Sequence, residues 1–460
     1  MDKFDFFSPF DYRYVDGQLK IEAEKFLSEN ARIRYQAKVE AALVRVLALH
    51  GVCSKKIADE ISVACESVSA EEVYAEEKKI KHDVRALANV IRSKVSDDAK
   101  RFVHFSATSY DIVDTASALR YKETAKLFLL PKLKSLLNVW IAIALREKDT
   151  LQIGRTHGQH AEPITFGFTM SSYVNRLGMS IENIQNCADS LEGKFSGAVG
   201  SYNASSLIVK DPLKFESDVL TLLGLKCARH STQIVNPETM LRLLNALMEC
   251  FNVLANFSDD MRHLQRSEIS EVMESFGEKQ VGSSTMPHKR NPINFENVKS
   301  MWKAFLPRLI TYNLDAISEH QRDLTNSASA RFIPELFLAL AVCVDRLERV
   351  SSNLVIDKSS MKKNFSISES KLGAEPLYIL LAKYGHSNAH ELVREITLEA
   401  EKNNKKFLEV ALSNSVVKSF WEKFSEKEKN IVKNPVNYVG LSSKKTELVC
   451  KYWKKRLLND

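Results

Sequence analysis

From Leu241 onward, apolar residues recur every three or four positions, at Leu244, Leu247, Phe251, Leu254, Phe257, Met261 and Leu264. That spacing predicts a helix of about seven turns. Leu243, Ala246, Cys250 and Val253 form a second stripe beside the first, so the helix is expected to have neighbours on more than one side, as inside a bundle. The runs Lys132 to Lys148 (Leu133, Leu136, Leu137, Trp140, Ala144) and Glu335 to Leu347 carry the same period. Each is entered near a proline, Pro131 or Pro334, at a position suited to a first helical turn. Several long helices should therefore stack side by side, and the expected fold class is all-α.

Polar stretches, two of them containing glycine, punctuate these runs: TSYDIVDTA at 108–116, GRTHGQHAEPITFG at 154–167 and FGEKQVGSSTMPHKRNP at 276–292. They are chemically richer than connections need to be. No repeat of fixed period and no low-complexity tract is visible. Polar edges near 96–100 and 353–360 divide the chain into an N-terminal helical domain (1–107), a central helix-bundle domain carrying the basic loop (108–355) and a C-terminal helical cap (356–460).

Composition adds exclusions. A chain of 460 residues has room for about three domains. Its 15 Gly and 11 Pro are about half the usual share, too few for the turns of an all-β architecture. Unbroken apolar stretches such as Val139 to Leu145 fall far short of the ~20 residues of a membrane span, so none is expected. The start, MDKFDFF, lacks the apolar core and cleavage site of a secretory signal, and the expected location is the cytoplasm. Seven cysteines with no CxxC spacing read as reduced thiols, and no metal cluster is expected. The formal charge of +7 comes from 65 basic and 58 acidic residues that are largely interleaved. A polyanionic small substrate accounts for it as well as nucleic acid does. The one local excess, CKYWKKRLLND at the end, reads as a solvated helix face.

The segment GSSTMPHKRNP at 282–292 sets two hydroxyls after a glycine, then His288, Lys289 and Arg290 between two prolines. Gly277 and Gly282 would let backbone N–H groups approach an anion that Lys289 and Arg290 neutralise. On these residues alone, an anion-binding loop and a mobile basic surface loop both stand.

This segment resembles the signature loop of the fumarase/aspartase superfamily, whose members eliminate fumarate or a similar product from a succinyl-type substrate. Five further motifs resemble its adenylosuccinate lyase branch, in family order: the Arg13-Tyr14 pair, KHDVRA at 81–86, TSYDIVDTA, THGQHAEPITFG at 156–167 and QRDLTNSASAR at 321–331. The resemblance implies three mostly helical domains, with a central long-helix bundle that joins three other copies in a homotetramer with shared sites. It implies the substrates adenylosuccinate and SAICAR, the products AMP, AICAR and fumarate, and no cofactor, metal, nucleic acid or membrane. The nearest alternatives are a carboxymuconate cycloisomerase and a non-catalytic crystallin-like relative.

Residue roles follow from the same resemblance. Anti elimination needs a base at a C–H bond and an acid at the leaving nitrogen. Ser283 is the implied base, ionised by loop N–H groups and Lys289. His157 is the implied acid, since imidazole titrates near neutral pH. His82 is implied in the site beside it. Arg13, Tyr14, Arg322, Ser327 and Arg331 would hold phosphate or carboxylate. Lys81, Asp83, Thr108, Ser109, Gln233, Ser284, Lys289, Arg290, Asn291 and Asn297 would contact substrate, with helix capping the alternative for Thr108, Ser109 and Asn297. Two departures stand out: Tyr110 occupies a place where a small polar residue is usual, and Ile-Val-Asn-Pro-Glu follows Gln233 where many relatives carry arginines.

Overall fold

The computed structural model describes residues 7–277 and 282–458. Helix accounts for 67% of the described residues, in keeping with the all-α expectation. Strands among the described residues form three two-stranded pairs. The chain divides into two compact units, each built from three separate stretches. One comprises Met1–Lys134, Met179–Leu254 and Ser300–Arg346, the other Ser135–Gly178, Ala255–Lys299 and Leu347–Asp460.

In the first unit, four helices follow one another closely: Glu29–Leu49, Lys55–Glu66, Ala70–Ile80 and Asp83–Ser93. Ser28, Ser54 and Ser69 cap the first three, each hydroxyl accepting a backbone N–H that would otherwise be unpaired. The fourth is capped by His82 instead. Their apolar faces meet around Ile33, Ala37, Val44, Ile61, Leu87, Ile91 and Phe102, each large side chain contributing about 2 kcal/mol by leaving water.

The helical run Ser109–Arg146 corrects one expectation. TSYDIVDTA is not a connection but the start of this helix, which begins at Ser109. Pro131 stands second in the α-helical stretch Leu130–Arg146, in its first turn as expected, but that stretch continues the run from Ser109, and Thr124–Leu129 just before it winds as a π-helix, with Leu130 N–H reaching back to Ala125 O. A proline ring clashes with the carbonyl four residues back, and the wider turn makes room for it. By length and hydropathy alone this run could cross a membrane, with a mean hydropathy of 1.5 over its most apolar window. That window is 56% buried within the fold, as the window of a core helix is. The isolated stretch Val139 to Leu145 understated the helix because its apolar residues are spaced by turns, not consecutive.

The helix over the 241–264 periodicity spans Glu238–Leu264. Both predicted stripes are buried from Leu243 to Met261, while Arg242, Asn245, Glu249, Asn252 and Asn256 keep one polar stripe exposed. In the first unit, Tyr121 stacks on Phe337, with ring centroids 5.4 Å apart. In the second, Phe257 meets Trp140 at 4.3 Å and Tyr173 at 5.2 Å, and the buried Trp140 Nε1 donates to Ser351 Oγ at 3.0 Å.

The rest of the second unit is the expected run of C-terminal helices, packed around Leu377, Leu381, Ile396, Phe407, Val417 and Trp421. The terminal basic stretch lies on the helix Ser442–Trp453 and the turn after it. Lys451 and Lys454 face out, while Cys450, Trp453 and Leu457 are buried.

Candidate active site

In the second unit, strands β1 (Leu151–Thr156) and β2 (Gln159–Thr165) pair antiparallel, with Thr156 opposite Gln159. GRTHGQHAEPITFG is therefore a hairpin, not an irregular loop, and its turn is only His157 and Gly158. Both have positive φ, +53° and +76°, the requirement of a type I′ turn whose twist matches its strands. His157 thus stands exposed at the tip. Behind it lies Glu271, fully buried, whose carboxylate takes Arg155, Gln152 Nε2 at 2.8 Å and Asn364 Nδ2 at 2.9 Å. His160 bonds through Nδ1 to Ser368 Oγ at 2.8 Å, a brace within the same unit.

The basic loop is described from Gly282, and residues 278–281 of the expected stretch lie outside the described residues. Gly282 lies against Lys289, where an added Cβ would come within 2.1 Å of the carbonyl oxygen. Ser283 Oγ accepts the backbone N–H groups of Thr285 at 3.3 Å and Met286 at 3.1 Å. Two N–H dipoles aimed at one hydroxyl oxygen favour negative charge on it. Asn291 Nδ2 closes the loop on Gly282 O at 3.0 Å. Glu274 ends it, accepting Asn294 N–H and Phe295 N–H at 2.9 Å each, at the start of the helix Ile293–Phe305. Ser284, His288, Lys289 and Arg290 are exposed. Asn297, on that helix, keeps a buried side-chain oxygen with no partner among the described residues.

The first unit holds a cavity of about 860 Å³. Lys81, His82, Asp83, Ser109, Gln233, Arg322, Ser327 and Arg331 all line it, bringing together residues from distant motifs. His82 Nδ1 accepts Arg85 N–H at 3.2 Å. That bond fixes which ring nitrogen is the acceptor and leaves Nε2 as the other face. Arg13 and Tyr14 are on a short π-helix, Phe10–Tyr14; Phe10 and Asp11 line the cavity and these two do not. Thr108 does not line it either, and its N–H bonds to Asp111 at 2.8 Å as a helix cap.

Four arginines line the cavity, and their partners sort them. Arg120 is spent on the carbonyls of Phe26 and Leu27, and Arg32 on Glu29 and Tyr74. The Arg331 guanidinium has no hydrogen-bond or ion-pair partner among the described residues, and Arg322 is only partly engaged. The turn carrying Arg322 is held by Asp323, whose carboxyl is drawn down to about 2 by hydrogen bonds from Thr325 and Glu319. Asp114, also in the wall, is pushed up to about 6 by burial despite accepting Val235 N–H at 2.8 Å. Beneath the wall, Lys194 and Asp111 form a fully buried ion pair. Gly197 completes it, accepting from Lys194 Nζ at 3.1 Å and donating to Asp111 at 3.2 Å. Among the described residues no group of three or more His, Cys, Asp or Glu is placed to hold a metal ion.

The comparisons with known proteins agree from end to end. Residues 16–304 match the lyase family model, and residues 318–436 match that of the adenylosuccinate lyase C-terminal region. The adenylosuccinate lyase of Archaeoglobus fulgidus is 35% identical over 448 residues, spanning 96% of this chain and 98% of that one. That of Pyrococcus abyssi is 37% identical, spanning 94% and 97%. The chain belongs to the adenylosuccinate lyase family. Among solved structures, a 3-carboxy-cis,cis-muconate lactonizing enzyme from Pseudomonas putida superposes with a TM-score of 0.81 at 24% identity, over 97% of this chain and 99% of that one. A fumarate lyase from Mesorhizobium sp. BNC1 gives 0.81 at 20% identity, over 94% and 97%. At those identities the likeness is one of fold, a mostly helical one shared over nearly the whole chain. For an adenylosuccinate lyase family member, sequence reasoning had missed Glu271, Glu274, Asp114 and Lys194. The role of each shows only when its partners, 20 to 121 residues away, are in place.

Proposed function

We propose that the chain eliminates fumarate from adenylosuccinate, giving AMP, and from SAICAR, giving AICAR, as a carbon–nitrogen lyase of purine biosynthesis. The observation that carries this beyond family membership is the pair of backbone N–H groups on Ser283 Oγ. A free serine hydroxyl is far too weak to take a proton from carbon, and donors that favour its alkoxide are what the role requires.

Ser283 takes the proton beside the carboxylate, and the electron pair passes into that carboxylate as an aci-carboxylate. Donors such as Lys289, Asn291 and Ser284 would stabilise this charge by about 3 to 4 kcal/mol per well-placed contact. The pair then forms the C=C bond of fumarate, the C–N bond breaks, and His157 protonates the departing nitrogen. Protons and electrons balance within the substrate and these two side chains. His82 orients the substrate, together with Lys81, Asp83, Ser109 and Gln233. Arg322, Ser327 and Arg331 take its phosphate or succinyl carboxylates, a match for guanidinium forks. Arg13, Tyr14, Thr108, Arg290 and Asn297 belong to this reading on their motif positions. The working form is a cytoplasmic homotetramer with sites shared between copies, and the three-part division at 107 and 355 belongs to the same proposal.

The test is an ultraviolet assay with adenylosuccinate, following the absorbance lost as AMP and fumarate form, with no added metal or nucleotide cofactor. Turnover of about 1 to 10³ s⁻¹ is expected. No turnover by a verified tetramer would overturn the assignment.

A further inference from the structure

Tyr110 and Arg322 line the cavity together, 212 residues apart in the chain. Tyr110 sits in the first turn of the helix beginning at Ser109, and Arg322 in the turn held by Asp323. The Arg322 guanidinium carbon lies 3.8 Å from the centroid of the Tyr110 ring, a stacked cation–π contact. Arg322 Nη2 also donates to the Tyr110 hydroxyl, and Nη1 donates to Asn326 Oδ1 at 3.1 Å. Ring, hydroxyl and amide thus fix the plane of the guanidinium. Its Nε is buried and has no hydrogen-bond partner among the described residues. A buried, charged N–H without an acceptor is costly, and Asp114, a carboxyl in the same wall, accepts Val235 N–H.

We propose that Tyr110 is a specificity-determining residue of this cavity, clamping Arg322 by ring and hydroxyl so that the guanidinium meets an oxyanion of the bound ligand. The proposal rests on the lyase reading for the identity of that ligand and on the contacts above for the clamp itself. The oxyanion is an oxygen of the phosphate or of a succinyl carboxylate. AMP carries only the first group and fumarate only the second, so the two products separate the sources.

The experiment measures kcat and KM for adenylosuccinate, and inhibition by AMP and by fumarate, in wild type, Tyr110→Phe and Tyr110→Ser. Tyr110→Phe keeps the stack and loses one hydrogen bond, so KM should rise about three- to tenfold. Tyr110→Ser loses both contacts, and KM should rise by about tenfold more, with kcat within about threefold of wild type. One inhibition constant should rise in step with KM while the other stays put, naming the oxyanion. A KM unchanged in Tyr110→Ser, a loss confined to kcat, or an equal rise in both inhibition constants would overturn the clamp. If Tyr110→Ser does not fold, Tyr110→Phe reads the hydroxyl alone, and an unchanged KM there defeats the proposal as stated. Should wild type fail to turn over adenylosuccinate, the lyase reading fails by itself. Calorimetric binding of AMP and of fumarate to wild type and Tyr110→Phe then still decides the clamp, which requires weaker binding of one of them by the variant.

Discussion

Arg155 meets Glu271 edge to edge, its Nη2 2.6 Å from one carboxylate oxygen and its Nη1 3.2 Å from the other. Arg155 stands two residues before His157, so this fork sets the angle at which the hairpin presents the imidazole. Glu271→Gln keeps the shape and removes the charge. Displacing a reacting group by about 1 Å can cost about a hundredfold in rate. We expect kcat to fall between about tenfold and a hundredfold, with KM within about threefold. Steady-state kinetics decide it, and an unchanged kcat would show that the hairpin holds its angle without the fork.

His157→Ala and Ser283→Ala should each lower kcat by at least the 10² to 10⁴ typical of a lost acid or base, with assembly intact by light scattering. Because the sites are proposed to be shared between copies, mixing the two inactive variants should restore part of the activity. No recovery after confirmed subunit exchange would argue for sites built within one chain.

Gly178 carries a stability prediction. A Cβ placed there would come within 2.3 Å of the Trp453 ring, whose indole N–H donates to Asn175 at 3.0 Å. Gly178→Ala should therefore lower the unfolding free energy by about 1 to 3 kcal/mol, the cost of overpacking. Thermal denaturation reads the loss. A melting temperature equal to wild type would mean that Trp453 moves aside freely.

His104 carries a pH prediction. Burial opposes its charge, but Glu40, 2.6 Å away and buried, outweighs that by charge and hydrogen bond, with Asp111 adding and Arg85 opposing. The net shift is upward. A raised folded value means that the pair's contribution is full below the unfolded value of about 6.5 and is lost as pH climbs through the folded one. His104→Gln should cost about 3 kcal/mol near pH 6, because Glu40 stays buried without its cation. By about pH 9 the gap between variant and wild type should narrow. Urea unfolding at both values measures it, and a gap independent of pH would mean that the pair is not ionic.

What the sequence made legible was whatever repeats locally or sits in a contiguous motif. The stripes of Glu238–Leu264 needed only the helical period, and Ser283 and His157 came with their loops. Two local misreadings have a shared origin. TSYDIVDTA and GRTHGQHAEPITFG are polar because they face a cavity or end in an exposed tip, and polar composition alone does not distinguish a helix start or a hairpin from irregular backbone. The π-helix before Pro131 answers a clash that no propensity describes. Glu271 and Lys194 are invisible for a different reason, since a buried ion pair is written as two ordinary surface residues far apart. Their meaning appears only when the fold removes the water around them.

The interleaving of the two units bears on how the chain is made. No unit is a continuous piece of sequence, and the first is complete only at residue 346. During synthesis the helices before residue 107 have their own core and can settle early. The cavity, however, must wait for Arg322 and Arg331 to leave the ribosome, with apolar surfaces such as that of Glu238–Leu264 already made and still uncovered. Long-range closure of this kind is slow and exposed to aggregation. A truncated product would leave a folded N-terminal piece and a sticky remainder, and it should be the clearest substrate for chaperones and proteases.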